Sequence, residues 1–194
     1  MIPNYYSLEQ LVEMLDESVR EVCRRILADN RERFSKAQGA THNHQNWPGG
    51  YFDHVRECMN IAHLQYWALS AARPLPFTLS DALLIMFLHD IEKPWRYALN
   101  DAGELEIIPG LESKEARQEF RDKKLAEYGL VLTPNQQNAM EFVEGEYKCY
   151  SSKRRMSGPL AAFCHICDVV SARIWFDCPR LEHDPWNIAE RISK

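Results

Sequence analysis

The segment FLHDIEKPW, residues 87–95, joins an apolar stretch to four side chains that could do chemistry. His89, Asp90, Glu92 and Lys93 follow the run DALLIMFL, which is typical of a buried helix. Burying an imidazole, two carboxylates and an ammonium costs solvation free energy unless these groups pair, bind a metal or line a cleft. The segment therefore indicates a functional site at the end of a helix.

Two further metal-capable side chains lie on other predicted helices. His54 is near the start of one helix, and Asp168 lies within the apolar segment AAFCHICDVV of another. Adjacent helical residues point about 100° apart, so His89 and Asp90 can share an ion only if packed helices supply the other ligands. Two imidazoles and two carboxylates suit a borderline or hard divalent ion: Mn, Fe, Co, Ni, Zn or Mg.

The order of these four residues resembles the motif of the HD superfamily of metal-dependent phosphohydrolases. FLHDIEKPW is similar to the family's helix that ends in His-Asp, and Lys93 stands where many members carry a lysine. GGYFDHV, which contains His54, is similar to the Gly-Gly start of exoribonuclease-like and cyclic-nucleotide-cleaving branches. HICDVVSAR resembles the family's closing segment. The resemblance covers about residues 40–176 and implies a compact, all-α HD-domain-like bundle.

One departure from the family bears on the number of metal ions. Branches with two metals carry two extra histidines between the His-Asp pair and the last aspartate. Here EFVEGEYKCY has none, and His165 is the sole histidine between Asp90 and Asp168. The resemblance therefore implies one divalent ion, held by His54, His89, Asp90 and Asp168, unless Glu144 or Glu146 replaces a missing ligand.

The predicted catalytic residues are Asp90, Lys93 and Glu92. Asp90 can hold the ion and also accept a hydrogen bond from an attacking water. The ammonium of Lys93 suits the charge that develops on phosphoryl oxygens. Glu92 stands where many family members have glycine, so its role is open, and a surface Glu-Lys pair is the alternative.

Seven residues are candidates for substrate binding. Aromatic rings can stack on a base, and guanidinium or ammonium groups can bind phosphate. The aromatic residues could equally belong to the core or rim, and a basic loop is often only solvated. The candidates are His44, Trp47, Trp95, Arg96, Lys153, Arg154 and Arg155, with Tyr97 as a further ring that could stack. Three other histidines are expected to be structural or surface residues: His42, His63 and His183.

These residues predict a hydrolase that cleaves a phosphate ester of a nucleotide or related small molecule with a metal-activated water. One alternative is a phosphodiesterase acting on a cyclic nucleotide or short RNA. Another is an inactive HD module that binds a nucleotide and signals. The oligomeric state is open, and a homo-oligomer is possible.

Composition limits the partners and the location. The 194 residues carry a net charge of −5, so we expect no binding to duplex nucleic acid or to a membrane surface. The longest apolar run is short of a membrane span, and the N-terminus lacks the pattern of a signal peptide. We therefore expect a cytoplasmic protein with six free cysteines. Cys164 and Cys167 have the spacing of a metal knuckle, but two buried residues on a helix face are the favoured interpretation.

The apolar periodicity predicts an all-α chain, with a possible short hairpin at 98–110. Residues 1–194 are interpreted as one domain, with a tail at 177–194. Helices are predicted at about 7–36, 51–72, 79–90, 112–128, from 134, and at 159–176, with basic loop 151–158 before the last. The predicted caps are Ser7 in a capping box with Gln10, Thr78 or Ser80, and Thr133. Pro134 and Pro159 are predicted to open helices, and Pro94 is expected to end regular helix after the His-Asp pair.

Overall fold

The computed structural model describes residues 4–40, 44–99, 105–176, 178, 184–186 and 188–189, with the backbone alone for residue 99. Within this part of the chain the protein is helical apart from one two-stranded sheet, which confirms the all-α prediction with a short hairpin. His42, His183 and most of the predicted tail lie outside the described residues.

The secondary structure elements follow in chain order. The helices are α1 (Leu8–Glu13), α2 (Glu17–Lys36), α3 (Gly50–Ala72), α4 (Leu79–Leu88), α5 (Lys93–Arg96), α6 (Lys114–Glu127), α7 (Pro134–Phe142) and α8 (Pro159–Val169). The strands are β1 (Tyr97–Leu99) and β2 (Leu105–Ile107). A 3₁₀ turn covers Tyr147–Cys149, and a π-helical turn, Val170–Ile174, continues α8.

Helices α3 and α4 pack against each other at the centre of the core. Because α4 is apolar on nearly every side, it needs neighbours all round, and α3, α7 and α8 supply them. Helix α3 is buried from Gly50 to Ala62, and most of its second half faces solvent. The buried half carries His54, and α4 leads directly into His89.

The Gly-Gly pair at the start of α3 has a steric cause. Gly49 caps the helix with φ of +81°, a left-handed conformation that favours glycine. A Cβ atom on Gly50 would lie 1.9 Å from the backbone oxygen of Gln45. The preceding loop can therefore press against the helix start only because residue 50 has no side chain.

The prediction of one helix over residues 7–36 is wrong. The predicted Ser7 and Gln10 capping box is present, but α1 ends at Glu13 and α2 begins at Glu17. The backbone N–H of Asp16 leaves the helical ladder and donates to Oγ of Ser80, at 2.9 Å. A hydrogen bond to a residue 64 positions away thus interrupts an otherwise continuous apolar pattern.

The His-Asp pair is followed by a short helix and the hairpin. Pro94 lies in the first turn of α5, where its missing N–H costs no helical hydrogen bond, so it opens a helix where we expected regular helix to end. Strands β1 and β2 pair antiparallel, with Tyr97 opposite Ile107. The hairpin thus follows directly after α5, which begins at Lys93.

The last helices follow the predicted pattern closely. Thr133 caps α7 in a capping box, and Pro159 lies in the first turn of α8. Cys164 and Cys167 are buried on α8, as the packing interpretation expects, and neither is in a candidate metal group among the described residues. Of the helices described, none is both long and apolar enough to cross a bilayer.

Candidate metal centre

The four predicted metal ligands converge on one buried point. His54 comes from α3, His89 and Asp90 follow α4, and Asp168 lies near the end of α8. Nε2 of His54 lies 3.2 Å from Nε2 of His89. The same nitrogen lies 3.2 Å from Oδ2 of Asp90 and 3.3 Å from Oδ1 of Asp168. Only Asp168 has a partly exposed side chain, at 19%.

The spacing of these atoms fits a shared divalent ion. Two ligand atoms about 2.1 Å from one ion lie about 3.0 Å apart at a right angle and about 3.4 Å apart at a tetrahedral angle. The separations around His54 fall in this range, as does the 3.2 Å between His89 Nε2 and Asp90 Oδ2. The 3.8 Å between His89 Nε2 and Asp168 Oδ1 suits a wider angle.

The second ring nitrogen of each histidine also has a partner. Nδ1 of His89 lies 2.8 Å from the backbone oxygen of Met86, which can only accept, so Nδ1 carries the proton. In its neutral form His89 therefore presents a lone pair on Nε2 to the cluster, as a metal ligand requires. Nδ1 of His54 lies 3.1 Å from the hydroxyl of Ser171.

Acceptor atoms crowd the centre of this cluster, so it attracts a cation. Burial opposes a charge on His89, but the adjacent Asp90 carboxylate outweighs it and raises the pKa of His89 to about 9. Burial also opposes ionisation of Asp90, yet Lys93 and His89 hold its pKa well below the usual value. The same acceptors that stabilise a proton here could hold a metal ion.

Lys93 and His44 lie at one side of the cluster. Nζ of Lys93 is 2.5 Å from Oδ2 of Asp90 and 3.4 Å from Nε2 of His44. Burial would lower the pKa of Lys93, but the Asp90 carboxylate raises it, so the ammonium stays charged. Burial, with His54 and Lys93 nearby, lowers the pKa of His44 to about 3, so its neutral ring can accept from Lys93.

Cys58 also borders the cluster, although its sequence position gave us no reason to propose it. Its Sγ lies 3.7 Å from Nε2 of His54, and the two residues are one helical turn apart on α3. Sγ is within 4.8 Å of ligand atoms of His54, His89 and Asp168. Burial raises the pKa of this thiol well above its usual value, which disfavours the thiolate form. The spacing of four residues from His54 was the available signal.

A second group of carboxylates lies beside the first. Oxygens of Asp90, Glu92 and Glu144 lie within 4.8 Å of one another and could also hold a metal ion. Glu146 instead fixes the basic loop, because its Oε1 accepts hydrogen bonds from the N–H and hydroxyl of Ser157 at 2.7 and 2.8 Å. Of the two glutamates considered as substitutes for a missing ligand, Glu144 is therefore the one near the cluster.

Each carboxylate of this second group already faces a cation. The pairs are Asp90 with Lys93 at 2.5 Å, Glu92 with Arg121 at 3.9 Å, and Glu144 with Arg117 at 3.9 Å. Nearby positive charges weaken the attraction of these oxygens for a further divalent ion. Burial raises the pKa of Glu92 despite the opposing charge of Arg121.

Arg121 supports the turn that carries His89 and Asp90, two of the proposed metal ligands. Although it lies on the charged helix α6, its side chain is buried, and Nη1 donates to the backbone oxygen of His89 at 2.7 Å. Its Nη2 donates to Gln118 at 3.0 Å. The sequence of α6 gave no signal for this contact, because arginine on a charged helix is usually exposed.

The aromatic residues proposed to stack on a substrate already contact other parts of the protein. Trp47 is buried, and its Nε1 donates to Oδ2 of Asp53 at 2.8 Å. Trp95 is half-buried and packs against the hydrophobic core. The guanidinium of Arg96 lies over the ring of Tyr97, 5.1 Å from its centroid. These positions place Trp47 and Trp95 in packing roles and Tyr97 at the surface beside α5.

The predicted basic loop lies on the surface. Lys153, Arg154 and Arg155 are exposed. Among the described residues, no ion pair joins these three side chains to the metal cluster. Their predicted contact with substrate therefore requires a molecule that extends beyond the cluster.

A cleft of about 590 Å³ opens beside Lys93. Its walls include Arg33 and Lys36 from α2, and Pro94 and Tyr97 from the segment after the cluster. The volume is in the range of small-molecule sites. Lys93 lines this cleft and also contacts Asp90, whereas none of the four proposed metal ligands is among the lining residues.

No family model, curated protein or solved structure matches the chain. The assignment of a function therefore rests on the geometry of the cluster.

Proposed function

We propose that this protein is a metal-dependent phosphohydrolase of the HD type. Its ion would be held by His54, His89, Asp90 and Asp168. The observation that supports the proposal is that Nε2 of His54 and Nε2 of His89 lie 3.2 Å apart in a buried cluster, and that each lies 3.2–3.8 Å from an oxygen of Asp90 and of Asp168.

We propose one ion for each chain. The second group of carboxylates is already balanced by Lys93, Arg121 and Arg117. The imidazoles of the first group bind an ion in their neutral form, and among the described residues Lys93 is the one lysine or arginine in an ion pair with a proposed ligand of this group. A divalent ion is therefore attracted more strongly to the first group than to the second.

The residues around the cluster have separate roles in the proposed reaction. Bound at the four ligands, a divalent ion supplies Lewis acidity to a phosphoryl oxygen and makes a water molecule more acidic. Lys93 is held on Asp90 and stabilises negative charge on the phosphoryl oxygens. Asp90 accepts a hydrogen bond from the attacking water. His44, as a neutral acceptor, keeps Lys93 in place.

Glu92 is retained as the third catalytic candidate, with a direct test. It lies in the carboxylate group next to Asp90, which favours a part in the reaction. It also faces Arg121, which holds the backbone of His89, and this favours a supporting part. Glu92→Gln distinguishes these two roles. If Glu92 is catalytic, the variant should lower both kcat and kcat/KM, whereas if Glu92 supports the site, the variant should lower metal affinity first.

The cleft beside Lys93 supports a nucleotide as the substrate. Arg33 and Lys93 provide positive charge for phosphates, and Tyr97 provides a ring for a base, whereas Lys36 is paired with Glu32 at 2.6 Å. A phosphate near Lys93 would place the remainder of the substrate in this cleft. The proposed substrate is thus a phosphate ester that also carries a flat, aromatic base.

The test is hydrolysis by protein loaded with Mn, Co, Ni, Zn or Mg, with the products separated by chromatography. The panel contains mononucleotides, nucleoside triphosphates, cyclic nucleotides and short RNA. Turnover of a mononucleotide or triphosphate supports the proposal, and turnover confined to cyclic nucleotides or RNA favours the phosphodiesterase alternative. Tight binding of a nucleotide without turnover of any class would reject the enzyme and favour a binding module.

A further inference from the structure

Ser171 lies at the centre of a buried polar network behind His54. Its Oγ is 3.1 Å from Nδ1 of His54, 2.6 Å from Oε2 of Glu57 and 3.2 Å from Nε2 of Gln45. Ser171 and Gln45 have no exposed surface, and Glu57 is 2% exposed. A serine oxygen can accept two hydrogen bonds and donate one, which matches three partners.

The donor in each hydrogen bond can be identified because the backbone oxygen of Cys178, at one end of the network, can only accept. Nε2 of Gln45 lies 3.4 Å from the backbone oxygen of Cys178, so this end of the amide is the donor. The same Nε2 lies 3.2 Å from Oε2 of Glu57, so Oε2 accepts. Ser171 then gives its proton to Glu57 over the shorter distance, 2.6 Å, and its oxygen is left to accept from His54.

We propose that Glu57 and Ser171 act together as a positioning device that keeps the proton of His54 on Nδ1. The lone pair of His54 then remains on Nε2, which faces His89, Asp90 and Asp168. The inference deepens the proposed metal centre and rests on it. It gives His54 the same protonation that the backbone oxygen of Met86 gives His89.

The helices explain why both members of the device reach His54. Glu57 lies three residues after His54, on the same face of α3. Ser171 lies three residues after Asp168, where α8 widens into the π-helical turn Val170–Ile174. Such π-helical turns are rare in proteins, and those that occur are often found at functional sites. One helix end thus supplies a proposed ligand, Asp168, and the partner of another ligand.

The protonation of Glu57 is compatible with this role. Burial raises the pKa of Glu57 to about 9, although the hydrogen bond from Ser171 opposes the shift. A neutral carboxyl group carries its proton on one oxygen and keeps the other as an acceptor. Because Gln45 and Ser171 both point at Oε2, the proton belongs on Oε1.

The experiment compares Ser171→Ala with Ser80→Ala. Ser80 is also buried and accepts a hydrogen bond, from Asp16, but lies outside the network, so it controls for the loss of a buried hydroxyl. Imidazole ¹⁵N NMR of the metal-free and Zn²⁺-loaded proteins locates the His54 proton, and competition with a chromophoric chelator gives the Zn²⁺ affinity. We expect a slowly exchanging Nδ1 proton in wild type, faster exchange in Ser171→Ala, and Zn²⁺ affinity lowered about 10- to 100-fold.

A second pair of variants tests Glu57 itself. Glu57→Gln keeps an acceptor oxygen and should retain the Nδ1 proton and most Zn²⁺ affinity, whereas Glu57→Leu should behave like Ser171→Ala. A bare Nδ1 on His54 in wild type would overturn the proposal, whether or not any variant folds. Ser171→Ala with the same exchange rate of the His54 Nδ1 proton and the same Zn²⁺ affinity as wild type would also overturn it. A protein that shows the Nδ1 proton but binds no Zn²⁺ would reject the proposed metal centre and leave the hydrogen-bonded device in place.

Discussion

Asp90 links the two halves of the proposed site, because its Oδ2 contacts both proposed histidine ligands and the buried ammonium of Lys93. Asp90→Asn should abolish phosphate release, since the amide carries no negative charge for the metal ion. The variant should also unfold more easily, by about 3 kcal/mol, because Lys93 is left as a buried charge without its partner. Enzyme assays and thermal unfolding of the metal-free proteins measure the two effects separately.

The double variant Asp90→Asn/Lys93→Met is the control for this prediction. Removing the unpaired ammonium should restore much of the lost stability, while activity stays absent. Asp122→Asn, at an exposed position on α6, should change neither property. Full activity in Asp90→Asn would contradict the proposed mechanism.

Glu57 should make the folded state less stable as the pH rises. Its folded-state pKa is about 9 because of burial, whereas a glutamate in the unfolded chain titrates near its usual value of about 4.3. Between these values the folded protein holds a proton that the unfolded chain has released, so stability falls with increasing pH. Glu57→Gln cannot titrate, so its melting temperature relative to wild type should rise steadily from about pH 5 to pH 9. If the difference in melting temperature between the two proteins stays constant across this pH range, the raised pKa of Glu57 is contradicted.

At the scale of single residues, the sequence indicates the proposed metal ligands more readily than the residues that contact them. His54, His89, Asp90 and Asp168 can be proposed because metal-capable side chains on apolar helices are conspicuous. Ser171 cannot, because a serine gains its role only when the fold brings it to a histidine 117 residues away. Supporting contacts of this kind depend on tertiary structure and leave no local pattern.

At the scale of elements, the start of α3 depends on a close approach of backbone to backbone. Gly50→Ala should destabilise the protein by about 1–3 kcal/mol, because the new Cβ would meet the Gln45 backbone oxygen at 1.9 Å. Gly110→Ala is the matched control, since no atom lies within 4 Å of its Cβ and it bears only the cost of a positive φ. Chemical denaturation of both variants measures the difference, and equal losses would remove the steric explanation.

The length of α8 limits what the basic loop can reach. Nine residues separate Pro159 from Asp168, so the helix start lies about 13 Å from the proposed metal ligand. Replacing Arg154 by alanine should raise KM for short RNA about tenfold or more, because a charge-assisted hydrogen bond contributes about 1.5–3 kcal/mol. KM for a mononucleotide should not change. An equal effect on both substrates would show that the loop folds closer to the cluster.

Local patterns predict where most elements begin but fail where a distant residue intervenes. Capping boxes and prolines correctly mark the starts of α1, α4, α7 and α8. The break between α1 and α2 was missed, because the hydrogen bond from Asp16 to Ser80 has no counterpart in the local sequence. Likewise, Pro94 is as compatible with a first turn as with a helix end, so the sequence leaves both choices open.

At the scale of the whole molecule, a bound ion would join three helical segments. Zn²⁺ at about 100 times its Kd should stabilise the fold by about 2.7 kcal/mol. For a chain of this size that corresponds to a rise of about 5–10 °C in melting temperature. Chelation should reverse the rise, and Asp168→Asn should prevent it while Asp122→Asn does not. A Zn²⁺-dependent rise that survives in Asp168→Asn would place the ion elsewhere.

The all-α class follows from helical periodicity along nearly the whole chain, and the structure confirms it. The packing that brings α3, the end of α4 and α8 together could be anticipated only through the resemblance to a family motif. Periodicity shows which face of a helix is buried, but not which partner covers it. The cluster geometry therefore had to come from the structure.

The order of the ligands along the chain has a consequence for synthesis. His54 and His89 are made early, but Asp168 and Ser171 lie more than a hundred residues after His54. A ribosome-bound chain that ends before α8 has neither the last proposed ligand nor the hydroxyl that orients the first. Binding of an ion by all four proposed ligands would therefore require α8 to be complete, and the metal would stabilise the finished fold.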